Sequence, residues 1–438
     1  MRKDAWLPRG VTNFFHRHEH IVRHRKTVIA AWCLYDWAAA SFSIIVTTFI
    51  FATYFTTRVA ENQIIGTYQW ANAASLAGVI IALTSPLFGA IADHGGHHKR
   101  WLLCFTMLSV VSAGMLWFAY PQHEAVYYTL ACVVLGTVGF EVALVFYNAY
   151  LPNLVSKNYL GRVSGWGWGA GYLGGIAALS IALIVFVRSN PAWLNRDTAE
   201  QIRICGPFVG VWYALFALPL FLLAPALSLK THPLPQAIRS GWKELLSTLR
   251  KLPKEKNILT YLIAHMIYTD GLNTLFAFGG IYAAGTYGLT FEEVILFGIT
   301  MNITAGFGAI ALGWMDDFIG SKTTIMLSLV FLTFLGIPIL FLHDKYVFWV
   351  SALAICIFVG PVQSASRSLM VRLISVKTAS TEMFGLYALS GKITAFIGPW
   401  LLGLMTLTFH SQRVGMGTVL AFFAIGAVLM GFVKVKKV

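Results

Sequence analysis

Six ionisable side chains lie among apolar residues. Asp36, Glu141, His265, Asp270 and Lys392 fall inside long hydrophobic runs, and Arg367 falls near the end of one. A charge at mid-membrane costs at least about 2.5 kcal/mol unless it is paired or hydrated, so each is a candidate for chemistry as well as for packing. Desolvation favours the neutral form of a carboxylate and a nearby cation favours the ionised form, the two opposed influences that a proton-coupled cycle requires. Lys392 is the candidate partner of Asp36 or of Glu141. The competing use of the same residues is a permanent buried pair that fixes helix packing.

Around these charges stands a polar set at similar depths: Tyr35, Ser41, Tyr147, Asn148, Tyr268, Asn273, Gln363 and Tyr387. Converging on a cavity, such donors and acceptors hold a zwitterion, with the carboxylates meeting an ammonium group and Lys392 or Arg367 meeting a carboxyl group. Taken singly, any of them also suits a contact between helices. Gly169, Gly171 and Gly174 spell the dinucleotide fingerprint, but no strand precedes them, so the context for nucleotide binding fails. Gly167, Gly171 and Gly175, four residues apart, suit close helix packing instead. The five cysteines lack the spacing of a redox pair or a zinc site, and no phosphate-binding loop for ATP is present. His16, His18, His20 and His24, with His94, His97 and His98, read as solvated, with metal binding and pH sensing as the alternatives. No cofactor and no metal is expected.

The elements that position these groups follow from composition. With 57% hydrophobic and 11% charged residues, a chain of 438 cannot cover a soluble surface, for which about 25% charged is usual. Apolar runs long enough to cross a bilayer are read at about 28–56, 68–92, 101–120, 126–149, 163–187, 205–229, 258–284, 291–315, 322–342, 346–370, 383–409 and 414–433. The fold class is therefore an all-α polytopic membrane protein with twelve spans. The basic start is too polar for a cleaved signal, so the first span is expected to remain. Of 32 Lys and Arg, 25 fall on one side of this topology, which places both termini in the cytoplasm. The net charge of +14 is thus mainly topology and contact with anionic lipid, which argues against a nucleic-acid partner.

The longest polar break divides the chain into a basic segment 1–27, a six-helix bundle 28–229, a linker 230–257, and a second bundle with a basic tail, 258–438. Within the linker, Ile238, Trp242, Leu245, Leu246, Leu249 and Leu252 recur at steps of three and four between basic residues, the pattern of an amphipathic helix on the inner membrane face, with a simple tether between the two bundles as the plainer and preferred reading. The two bundles echo each other. Gly89, Asp93 and Gly96 follow span two, and Gly313, Asp317 and Gly320 follow span eight, in the same G-x3-D-x2-G spacing. Gly165 and Gly171 of span five likewise align with Gly385 and Gly391 of span eleven. Parallel repeats of this kind place a substrate site between two bundles that rock about it.

Two six-helix halves with these loops resemble the major facilitator superfamily. More narrowly, "YDWAAASF", "FYNAYLPNL", "SGWGWGAGYLGG", "YTDGLNTL" and "FGLYALSGKITAFIGP" are similar to the family of the fungal vacuolar amino-acid effluxer and its bacterial members. The resemblance runs from about 30 to 430, and His94 departs from it, standing where an arginine usually follows the aspartate. It implies a cavity lined by spans one, four, seven and ten, which carry Asp36, Glu141, Asp270 and Arg367. It also implies that Asp93 and Asp317 gate the cavity by meeting helix N-termini of the opposite half, with Lys99 and Arg100 nearby. The expected activity is secondary transport of an amino acid or similar small metabolite, coupled to protons, by a monomer in a bacterial inner membrane. Lipid or peptide transport, a transport-incompetent receptor and a membrane enzyme are the alternatives; the last lacks any clustered nucleophile and base.

Overall fold

Backbone polar groups cannot stay unpaired in hydrocarbon, and this computed structural model meets that demand with helices, no strand being present among the described residues. The structure describes residues 26–189, 191, 193–225, 227, 233–289, 291–374 and 380–435. His16, His18, His20 and His24 lie outside these. The first six spans are α1 (Lys26–Val59), α2 (Gln63–Gly95), α3 (His98–Met115), α4 (Val126–Leu154), α5 (Leu160–Ile181) and α6 (Cys205–Leu223). A linker helix, Leu234–Lys251, follows, and then α7 (Lys256–Tyr287), α8 (Phe291–Ile319), α9 (Ser321–Phe341) and α10 (Lys345–Leu373). The chain ends in α11, in two pieces α11a (Ser380–Lys392) and α11b (Ile397–Phe409), and α12 (Gln412–Phe432).

Eleven stretches are long and apolar enough to cross a membrane among the described residues. α7, which carries His265, Asp270 and Asn273, is not among the eleven, but it is 32 residues long and packs along α12. The fold is that of an all-α polytopic membrane protein.

Local chemistry sets the helix ends. Asn62 caps α2 by accepting the Ile65 N–H at 2.9 Å, and Asp344 caps α10 by accepting those of Tyr346 and Val347 at 2.8 and 2.9 Å. The last glycine of each G-x3-D-x2-G motif ends its helix in the left-handed region, Gly96 at φ 72° and Gly320 at φ 87°. A side chain is strained there, so glycine turns the chain at both equivalent loops. Span 383–409, expected as one helix, is interrupted by a turn at 393–396. Pro399 explains this: it has no N–H for the carbonyl four residues back and its ring crowds that carbonyl, so a new helix starts beside it.

The halves meet chiefly at two crossings, α2 with α11a and α5 with α8. Both need glycine. A Cβ on Gly385 would lie 2.5 Å from Pro86 Cα and one on Gly89 2.6 Å from the Thr381 carbonyl oxygen. At the other crossing a Cβ on Gly313 would lie 3.0 Å from the Gly161 carbonyl oxygen, and one on Gly165 would run into that of Ala309. The pairing of span two with eleven and five with eight is the internal repeat seen in three dimensions.

Candidate functional site

Arg367 on α10 is the hub of the interior. Its Nη1 donates to Asp36 Oδ2 of α1 at 3.1 Å and to Asn148 Oδ1 of α4 at 3.3 Å. Its Nε reaches Ser164 Oγ of α5 at 2.9 Å and its Nη2 the Ser164 carbonyl at 2.7 Å. Only 3% exposed, the guanidinium also lies over the Trp32 ring, 4.6 Å from the centroid. The Tyr147 hydroxyl donates to the same Asp36 oxygen at 2.7 Å, while its ring stacks on Trp32 at 4.5 Å. Gly167 makes the cluster possible, since a Cβ there would stand 2.8 Å from both Arg367 Nη2 and Asp36 Oδ2. Gly171 lies against the Asp36 backbone and Gly175 against Ile44. Charge thus links α1, α4 and α5 of the first half to α10 of the second.

Of the two partners expected for Lys392, this geometry gives it Glu141, whose Oε1 its Nζ meets at 2.6 Å, while Arg367 takes Asp36. The Glu141–Lys392 pair is the wetter of the two, its side chains 20% and 30% exposed. Lys392 ends α11a at the turn where α11 breaks. Asp270 lies at that break too: its Oδ2 accepts the Gly398 N–H at 3.0 Å, at the start of α11b, a position the helix dipole favours for an anion. Its Oδ1 is buried with no hydrogen-bond partner among the described residues.

Several members of the polar set do other work. Tyr35 is fully buried, with its hydroxyl between Thr106 (2.6 Å) and Tyr213 (2.9 Å) inside the first bundle, and Ser41 donates to its own helix at Ala38 (2.7 Å). Tyr268 meets Ser366 at 2.7 Å in the contact of α7 with α10. These three are occupied within their own halves, which takes them out of the candidate lining. Gln363 accepts from Tyr172 across the halves. Tyr387 stacks on His265 at 4.1 Å, and His265 Nδ1 contacts Ser390 Oγ at 2.7 Å. Asn273 is partly exposed within α7.

On the linker side the two halves are joined by polar contacts at two helix N-termini. Asp93 Oδ2 accepts the Glu382 N–H at 2.8 Å at the N-terminus of α11a, and Oδ1 meets His98 Nε2 at 2.8 Å. Asp317 does the same at the N-terminus of α5: it accepts the N–H groups of Gly161 (2.8 Å) and Arg162 (3.2 Å) and pairs with Arg162 Nε at 2.6 Å. Arg372 of α10 approaches Asp316 at 3.4 Å and Asp317 at 3.6 Å. Lys99 and Arg100, expected nearby, do not join these contacts. Lys99 donates to the Ala224 carbonyl at the end of α6 (2.9 Å), and Arg100 is exposed without a partner among the described residues. The side chains that do join are His98, Arg162 and Arg372.

The family described as "Vacuole effluxer Atg22 like" matches residues 71–438. This chain belongs to that family. The Atg22-like chain is 26% identical over 410 residues to the "Uncharacterized MFS-type transporter YxiO" of Bacillus subtilis (strain 168), covering 92% of this chain and 94% of that protein. It is 25% identical over 381 residues to "Autophagy-related protein 22" of Pichia angusta, covering 74% and 67% respectively. Among solved structures it is similar to a proton:xylose symporter of the major facilitator superfamily, with a TM-score of 0.75 at 12% identity over 95% of this chain and 97% of that one. It is also similar to FucP, a major facilitator superfamily transporter in the outward conformation, with a TM-score of 0.70 at 14% identity over 93% and 99%. The Atg22-like chain is thus a membrane transporter with the major facilitator fold. Its sequence withheld Trp32, Ser164, Tyr172, Arg162 and Arg372 as site residues, and His98, read as solvated, is instead buried against Asp93, because the start of α3 packs it beneath that carboxylate. The spacing of four between Trp32 and Asp36, and the doublet Asp316 and Asp317, were the signals available.

Proposed function

We propose that this Atg22-like transporter moves a small zwitterion, an amino acid in the first instance, by alternating access coupled to a proton, with its linker side and both termini in the cytoplasm of a bacterial cell. The observation that carries the reading is the pair of ion pairs across the seam, Asp36 with Arg367 and Glu141 with Lys392. A zwitterion can replace the partner of each charge in turn: its ammonium takes a carboxylate as its carboxylate takes a cation, so no buried charge is left uncompensated during exchange. Glu141 and Lys392, the more exposed pair, are suited to meet the substrate first. Asp36, held by Arg367 and Tyr147, is suited to the proton, because neutralising it loosens the contact between α1 and α10. The resemblance to amino-acid effluxers supports the substrate class, and a proton symporter among the structural neighbours is compatible with the coupling.

The test is uptake by the purified protein in liposomes, screening radiolabelled amino acids with and without an inward proton gradient. Gradient-driven accumulation is expected, lost in Asp36→Asn, with the half-saturating concentration in Glu141→Gln raised by about tenfold or more, the loss of one charge-assisted contact of roughly 1.5–3 kcal/mol. No accumulation of any amino acid under either condition would overturn the substrate class. Accumulation unchanged by the gradient and by Asp36→Asn would overturn the coupling.

A further inference from the structure

The linker helix is more than a tether, because its faces are sorted by chemistry. Ala237, Gly241 and Leu245, four residues apart, are buried on the bundle side, where a Cβ on Gly241 would stand 2.8 Å from the backbone of Ile91 in α2. One residue further round the helix, Ile238, Trp242, Leu246 and Leu249 form a second apolar stripe that is exposed by 47%, 51%, 39% and 41%. One residue further again come Arg239, Lys243 and Arg250, all exposed. A helix that already buries one apolar face against protein has no structural need for a second one in water. An apolar stripe edged by cations, with a tryptophan in it, matches the boundary between acyl chains and headgroups. The helix lies beside the end of α2, so the bilayer that α2 crosses is the adjacent phase.

The same helix touches the gate. Glu244 approaches His94 at 4.0 Å beside Asp93, and Thr248 faces Glu382, whose N–H Asp93 accepts. Gly95 abuts Ala237, a Cβ there standing 3.1 Å away. A force that presses the linker helix toward the membrane is therefore transmitted to the loop and helix end that close the interior.

We infer that the linker helix is a docking surface for anionic phospholipid of the adjacent leaflet, with Arg239, Lys243 and Arg250 on the headgroups and Ile238, Trp242, Leu246 and Leu249 among the upper acyl carbons, and that this docking stabilises the closed linker-side gate. The inference does not depend on what the transporter carries. Charge complementarity selects the occupant: three cations beside the stripe favour an anionic surface, each adding attraction within a Debye length of it.

The purified full chain in nanodiscs of phosphatidylcholine, or of phosphatidylcholine with a quarter phosphatidylglycerol, provides the test by hydrogen exchange over 234–251, 85–98 and 380–390. Exchange on the order of tenfold slower in all three segments with the anionic lipid is expected. High salt should reverse it, and so should R239E/K243E/R250E, a variant of exposed positions whose fold is checked by an unchanged melting temperature in detergent. Equal exchange in the two lipids would overturn the docking. Slowing confined to 234–251 would overturn the link to the gate. Equal slowing by inorganic phosphate in pure phosphatidylcholine would show a free-anion site in place of a membrane surface.

Discussion

At Asp270 one carboxylate oxygen accepts the Gly398 N–H and the other has no partner among the described residues. Asp270→Ala leaves that buried N–H unmet, with an expected loss of about 1–3 kcal/mol, while Asp270→Asn keeps an acceptor oxygen in place and is expected to lose much less. Thermal unfolding in detergent separates the two; equal losses would mean that the carboxylate charge, rather than the hydrogen bond, holds the break. The interior charges were legible because a membrane span makes any charge conspicuous. Their pairing was not. Arg367 and Lys392 are both cations of the second half, and which of them reaches Asp36 depends on how α5 places Ser164 and Gly167 beside α10. The rotation of a helix about its axis is equally silent in a span that is apolar all round, which is why the hydroxyls of Tyr35 and Ser41 could not be told from lining groups.

Helices two and eleven close the linker side by backbone contact, and glycine at 89 and 385 is what lets them approach. Gly385→Val is expected to hold these ends apart at a cost typical of overpacking, about 1–3 kcal/mol. With the five native cysteines replaced, the measurement is the rate at which a membrane-impermeant thiol reagent, added from the linker side, labels Ser364→Cys, a position that is 1% exposed in the seam. Faster labelling is expected in the valine background, and an unchanged rate would mean that the crossing does not control access. Part of this element was written in the chain: the repeated G-x3-D-x2-G loops marked the two places where the halves meet, whereas the break in α11 went unread, although Pro399 within span 383–409 was the signal available. The linker's second apolar stripe was also visible as periodicity. Only its position beside α2 divided the bundle-facing residues from those left exposed.

Across the whole molecule the two gate aspartates make one contact twice, Asp93 at the start of α11a and Asp317 at the start of α5. Each carboxylate at a helix N-terminus is worth roughly 1 kcal/mol. Asp93→Asn and Asp317→Asn are each expected to shift the population toward open on the linker side, and the double variant further than either. Electron-spin distance distributions between labels on the linker-side ends of α2 and α11a give the readout, and an unmoved distribution in the double variant would show that closure rests on packing alone. The interior charges follow a different rule. In the Asp36–Arg367 and Glu141–Lys392 pairs the anion belongs to the first six helices and the cation to the last six. The helix-end contact is repeated in the two halves, and the signs of the interior charges are not. On the proposed function, Asp36 and Glu141 face Arg367 and Lys392 with an electric direction running across the seam. A cargo bearing one charge of each sign can settle there in one orientation only, and a cargo with two like charges finds a single wall to hold it.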